Sequence, residues 1–210
     1  MHPTSDMVKK GVRNIGEIIK STSGDVIATR GNTFEVLVFD KWKDWKIEKK
    51  NDTTDRYEYV RMEPWTLEND SLPWDYEENG EVFRRNKTMN FYGILAKEAG
   101  NTSAFPVRLS FSRTGFKTGI KIADAYARAL MEKQPPTRQL FKIGSELVTG
   151  KGSGDSYFAF TVEAGTSSTE IQQAIALKWR QTVQSAKAKN AVVDHEVDDT
   201  EEKQTSTDEF

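Results

Sequence analysis

The chain has no cysteine, so it forms no disulfide and offers no thiolate to a metal or a substrate. That absence suits a reducing cytoplasm. Histidine is nearly missing as well: His2 and His195 are the only two, both in terminal segments expected to be mobile, which leaves no imidazole for a rigid metal site or a general base. Chemistry resting on a Cys or His side chain is thereby excluded. Long apolar runs are also lacking. The longest, residues 34–39 and the interrupted 120–130, fall well short of the ~20 residues a membrane-spanning helix needs, and residues 1–32 contain no apolar signal region. The expectation is a cytoplasmic protein without membrane contact, cofactor, metal or catalytic residue.

What the chain does have is charge, unevenly placed. From Asp194 to Phe210 eight acidic side chains stand against one lysine, Lys203. The remainder carries 29 basic against 24 acidic residues, so a body of net +5 is joined to its own polyanion in a chain of net −2. Such a segment buries too little apolar surface to offset its ordering entropy and is expected to be disordered. It is suited to touching something basic. One target is the protein's own ligand groove, where it competes with a nucleic-acid backbone for lysines and arginines; another is a partner protein that grips the Phe210 carboxylate.

At 210 residues, the length leaves room for one domain of ordinary size. Residues 1–32, polar and containing Gly11, Gly16, Gly24 and Gly31, are expected to be an N-terminal arm; residues 33–165 the domain; residues 166–190 a C-terminal helix; and residues 191–210 the acidic tail. Within the domain, residues 33–39 and 56–63 have the composition and alternation of strands, with a basic connector at 41–50 between them. Residues 64–86, with Pro64, Pro73 and the Asn79-Gly80 pair, are expected to be a long functional loop or a ragged hairpin. Strands are expected at 90–97 and 106–113, where Val107, Leu109 and Phe111 alternate with Arg108, Ser110 and Ser112. Residues 117–133 switch to helical period, with Ile122, Ala123, Tyr126, Ala127 and Leu130 on one stripe. Two further strands, 140–149 and 157–163, flank a glycine-rich turn at 150–155. A last helix, 169–187, opens on Ser167 with Glu170 three residues on.

This order predicts a mainly β, α+β fold: a five-stranded OB-like barrel with a helix between strands three and four, plus a C-terminal helix and a disordered tail. In that scheme the runs 33–39 and 56–63 together supply the long opening strand. An α+β sandwich with one-sided helices is the alternative. The last helix, with Ile171, Ile175, Trp179 and Val183 on one side, packs either on the barrel or on a second copy in a homodimer.

Basic and aromatic residues interleave over a short span: Trp42, Lys43, Trp45 and Lys46, then Tyr57, Tyr59 and Arg61, then Trp65 and Trp74. Single-stranded nucleic acid needs both types, because bases stack on flat rings while lysines and arginines neutralise phosphates. Residues 105–121 add Arg108, Arg113, Lys117 and Lys121 around Phe111 and Phe116, with Ser110 and Ser112 on the same expected face as Arg108. The candidate stacking residues are Trp42, Trp45, Tyr57, Tyr59 and Trp65. The candidate phosphate contacts are Lys43, Lys46, Arg61, Arg108, Arg113 and Lys117. The Gly150-Lys151 pair does not make a P-loop, because five residues separate Gly144 from Gly150 and Gly152 follows the lysine. Asp52, Asp55, Glu68, Asp70, Asp75, Glu77 and Glu78 lack a spacing that fixes a metal geometry.

With its acidic tail, terminal phenylalanine and order of strands and helix, the chain resembles the phage-type single-stranded DNA-binding proteins. The resemblance implies sequence-tolerant binding of single-stranded DNA in phage replication, recombination or repair. It also implies a tail that occludes the groove and docks replication partners (polymerase, helicase or primase) through Asp208, Glu209 and Phe210. The tail departs from the family in Lys203 and the neutral stretch Gln204 to Thr207. A protein-interaction or virion-structural module and a metal-dependent nuclease are the alternatives, and DNA against RNA preference stays open.

Overall fold

In the computed structural model, which describes residues 18–19, 26–99, 104–149 and 156–188, the strands are β1 (Ile18–Ile19), β2 (Val26–Ala28), β3 (Thr33–Asn51), β4 (Arg56–Pro64), β5 (Asp75–Glu78), β6 (Glu81–Leu95), β7 (Val107–Ser112), β8 (Gln139–Thr149) and β9 (Ser156–Ser167). The helices are α1 (Phe116–Met131), between β7 and β8, and α2 (Glu170–Ala188). β1 and β2 form a small antiparallel pair inside the expected N-terminal arm. The other seven strands form one antiparallel sheet.

Two long strands organise that sheet. β3 and β6 pair from Val36↔Leu95 to Lys49↔Phe83, and each shares its outer edge between two shorter strands. β8 lies beside the start of β3 and β4 beside its end; β7 lies beside the second half of β6 and β5 beside its first residues. β9 follows β8. The sheet therefore has a wide end, ordered β7-β6-β3-β8-β9, and a forked end, ordered β5-β6-β3-β4.

At the wide end both faces are covered, which is why residues 36–39 are apolar at every position. Val36 and Val38 join Phe91, Phe111, Ile122 and Tyr126 beneath α1. Leu37 and Phe39, of the opposite parity, join Ile94, Leu140, Ile175 and Ala176 beneath α2. Burying each large side chain contributes about 1.5–3 kcal/mol. The inward stripe of α1 runs through Gly119, Ile122, Tyr126 and Ala129, while Leu130, expected on it, is exposed. Gly119 is there because a Cβ would sit 2.8 Å from that of Met89, so α1 lies directly on β6.

Among the described residues β7 and β9 share no strand pairing, so the sheet is not closed into a barrel. The gap is bridged instead: Phe111 of β7 meets Phe160 of β9 edge-on at 5.4 Å, and the Thr118 hydroxyl of α1 donates to the Phe160 carbonyl at 2.6 Å.

Several expectations need correction. Residues 41–50 are no connector, since β3 runs unbroken for 19 residues, and Lys41, Lys43, Lys46, Lys49 and Lys50 are all half-buried within it. β4 is consequently no part of the opening strand but pairs back against its far half. The strand expected from residue 90 begins at Glu81, and of the two expectations for residues 64–86 the ragged hairpin is the one seen, with β5 and the start of β6 as its arms. Asn79 and Gly80 turn it with φ of +55° and +78°, the left-handed values a two-residue hairpin turn requires. The cap of α2 is Thr169 rather than Ser167: the Gln172 amide donates to the Thr169 hydroxyl, and the Thr169 amide donates to the Gln172 side chain. The 150–155 turn and the tail lie outside the described residues.

Candidate nucleic-acid interface

Alternation along β3 sorts the predicted residues between two faces. Paired residues share a face in an antiparallel sheet, so Trp42, Asp44, Lys46, Glu48 and Lys50 stand with Asn90, Thr88, Asn86 and Arg84 of β6. β7 adds Arg108, Ser110 and Ser112, and β4 adds Tyr57 and Tyr59. This is the α2 face. Its first feature is a ring stack. Trp42 packs on Tyr92 with centroids 4.6 Å apart, Tyr92 stacks on Phe39 at 6.3 Å, and the Arg108 guanidinium lies 5.5 Å from the Trp42 ring centre.

A polar network crossing three strands fixes that stack. The Trp42 indole N–H donates to Asp44 Oδ2 at 2.7 Å, and the Asn90 amide donates to the same oxygen at 2.9 Å. Asn90 Oδ1 in turn accepts from the Ser110 hydroxyl at 2.7 Å and from Arg108 at 3.4 Å. Asn90 is fully buried, so each of these bonds is made in a medium where an unmet polar group is costly. The indole and the guanidinium are thus oriented before any ligand arrives.

Further along the face sits a buried carboxylate. Glu48 is 3% exposed. It takes Lys46 at 2.9 Å, the Asn86 amide at 2.8 Å, and Arg113 from the turn that joins β7 to α1. Burial by itself raises the Glu48 pKa, but the hydrogen bonds and charges of Lys46 and Arg113 outweigh it and hold the carboxyl below its ordinary value. Beyond Glu48, Tyr59 is exposed with the Lys46 ammonium 5.8 Å from its ring, and the Arg84 guanidinium covers the Tyr57 ring at 4.0 Å while pairing with Asp75 at 2.7 Å.

The opposite face takes the other predicted residues and gives them structural work. Trp45, expected as a stacking platform, is fully buried with Ile47 and Phe83, and its indole N–H donates to Asn69 at 2.9 Å. Its neighbours Asp44 and Lys46 point the other way, so flanking charge did not expose it. Trp65 is half-buried over that cluster, donating to Asp70 at 2.6 Å, with Lys43 stacked on it at 4.4 Å. Arg61 lies opposite Ile47 and pairs with Glu63 at 2.8 Å. Lys117 is exposed on the first turn of α1, the helix of this second face. Trp45, Lys43, Trp65, Arg61 and Lys117 are therefore not brought onto the Trp42 face. Asp208, Glu209 and Phe210 lie outside the described residues.

Sequence reasoning missed Tyr92, Asn90, Asp44, Glu48 and Arg84. The alternation of Arg84, Asn86, Thr88, Asn90 and Tyr92 against Phe83, Met89 and Phe91 carries that signal once β6 is taken to start at Glu81. Among the described residues the acidic side chains gather into no group of three or more that could hold a metal ion, and no helix is long and apolar enough to cross a membrane. No family model, curated protein or solved structure matches the chain.

Proposed function

We propose that the Trp42 face binds single-stranded DNA without strict sequence preference and without catalysis, in replication, recombination or repair of a phage genome. The observation that carries this reading is the Trp42–Tyr92 stack, locked through Asp44 and Asn90 and flanked by Arg108. Bases stack on such rings whatever their identity, and cations beside them meet the phosphates. From Trp42 to Glu48 the strand covers about 20 Å, and Lys46, Arg113 and Tyr59 extend the same surface. The stacking set becomes Trp42, Tyr59 and Tyr57, and the phosphate set Lys46, Arg108, Arg113 and Arg84.

The strand order β7-β6-β3-β8-β9, with α1 between β7 and β8, supports an OB-like connectivity left open between its third and fifth strands. In such folds the face of the second and third strands, with the adjoining loops, is the ligand surface. The acidic tail is then a competitor for that surface and, through Asp208, Glu209 and Phe210, a docking arm for a polymerase, helicase or primase. Titration of the intrinsic tryptophan fluorescence with oligothymidylate across a salt series tests the reading. Quenching and an affinity that falls with salt are expected; unquenched fluorescence and salt-independent binding overturn it.

A further inference from the structure

Resting on that reading, we infer that Glu48 is a positioning residue built into the phosphate track, which fixes two cations in place and cancels one of their two charges. Lys46 and Arg113 come from β3 and from the turn after β7, separate parts of the chain, yet both end on this one carboxylate. The layering is specific. Glu48's side chain is 4% exposed, whereas those of Lys46 and Arg113 are 33% and 51% exposed, so an approaching phosphate meets the cations first with the carboxylate beneath them. Asn86 secures the carboxylate from below at 2.8 Å.

Arg113 adopts a left-handed backbone, φ +50°, that a non-glycine residue rarely takes, and its side chain is the one spanning from the turn to Glu48. The neighbouring Arg84, opposite Glu48 on β6, is already matched by Asp75. The trio Lys46, Arg113 and Glu48 therefore presents a single net positive charge from two cations held by their shared anion. A strand is gripped at a defined point but released more readily than two bare cations would allow.

The experiment measures oligothymidylate affinity against salt for the full chain, for Glu48→Gln and for the double variant Lys46→Gln/Glu48→Gln. Glutamine keeps the length and an acceptor for Asn86 while removing the counter-charge. One more phosphate neutralised on a single strand steepens the slope of log K against log salt by about 0.7. Glu48→Gln is thus expected to bind more tightly at 50 mM salt and to lose about 2.5-fold more of its affinity than the wild type on going to 200 mM.

The double variant restores the net charge of the trio and is expected to return to the wild-type slope; it also avoids an unbalanced charge should the single variant fold poorly. A salt-dependent wild type whose slope is unchanged in Glu48→Gln overturns this inference while leaving the binding face intact. So does a double variant whose slope is shallower than the wild type by about 0.7. A wild type that retains no oligothymidylate at any salt overturns the binding face itself.

Discussion

Replacing Trp42 by alanine separates a stacking platform from a core residue. By alanine substitution a base–aromatic stack is worth about 1–3 kcal/mol. In this protein Tyr92 packs on the indole at 4.6 Å, its edge is tied to Asp44 and the Arg108 guanidinium lies 5.5 Å from its ring centre, so a base meets a ring that is already partly covered. The lower half of that range, about 1–2 kcal/mol, is the appropriate share, which is roughly 5- to 30-fold in affinity. Anisotropy of a labelled oligothymidylate at fixed salt reads the loss, and urea melts of the same samples show whether the fold has changed. Trp42→Phe keeps a ring on Tyr92 and is expected to recover most of the affinity. Trp45→Phe is the control from the opposite face: it loses the bond to Asn69 and part of the packing on Ile47 and Phe83, lowering the urea midpoint while the folded protein binds as the wild type does. If Trp42→Ala binds normally and Trp45→Phe alone weakens binding without loss of stability, the ligand lies on the other face and the assignment is refuted.

Three further outcomes are expected. Gly80→Ala meets open space but forces a φ of +78° on a residue with a Cβ, so it costs about 1–2 kcal/mol in a denaturant melt and leaves oligonucleotide affinity unchanged. Glu48 has a folded pKa below its ordinary 4.5; its contribution to stability is full above the unfolded value and is lost as pH falls through the folded one. The urea midpoint of the wild type should therefore drop more steeply on acidification below about pH 4.5 than that of Glu48→Gln. Deleting Asp194 to Phe210 removes a competing polyanion, so binding tightens most at low salt, and equal affinity with and without the segment in a salt series leaves it a docking arm only.

The elements legible in the sequence are those whose burial follows one clean period. β7 shows its alternation, α1 its helical stripe, and β8 and β9 their bounded apolar runs, and each falls within a few residues of expectation. β3 broke the pattern because its environment changes along its length. Residues 36–39 are covered on both faces, whereas from Lys41 onward only Trp45, Ile47 and Glu48 are buried. Lysine at 41, 43, 46, 49 and 50 then imitates a connector, although a half-buried strand lysine only needs a path for its charge.

The candidate face was harder to see, and the reason lies in distance along the chain. Trp42 and Trp45 are three residues apart, an odd number, and a period of two sends them to opposite faces; that follows only once β3 is known to be continuous. Asn86 and Asn90 have the composition of turn residues. They lie in the middle of a strand because their side chains meet Glu48 and Asp44, 38 and 46 positions away in sequence. Buried amides of this kind are costly without partners and specific with them. The register of β3 on β6 is therefore written jointly by Glu48–Asn86 and Asp44–Asn90, the two contacts that also aim Trp42 and hold the cation pair. A one-residue slip would strand both asparagines and turn the aromatic face inward, so in this sheet the groups that organise the candidate site are the same groups that select the fold.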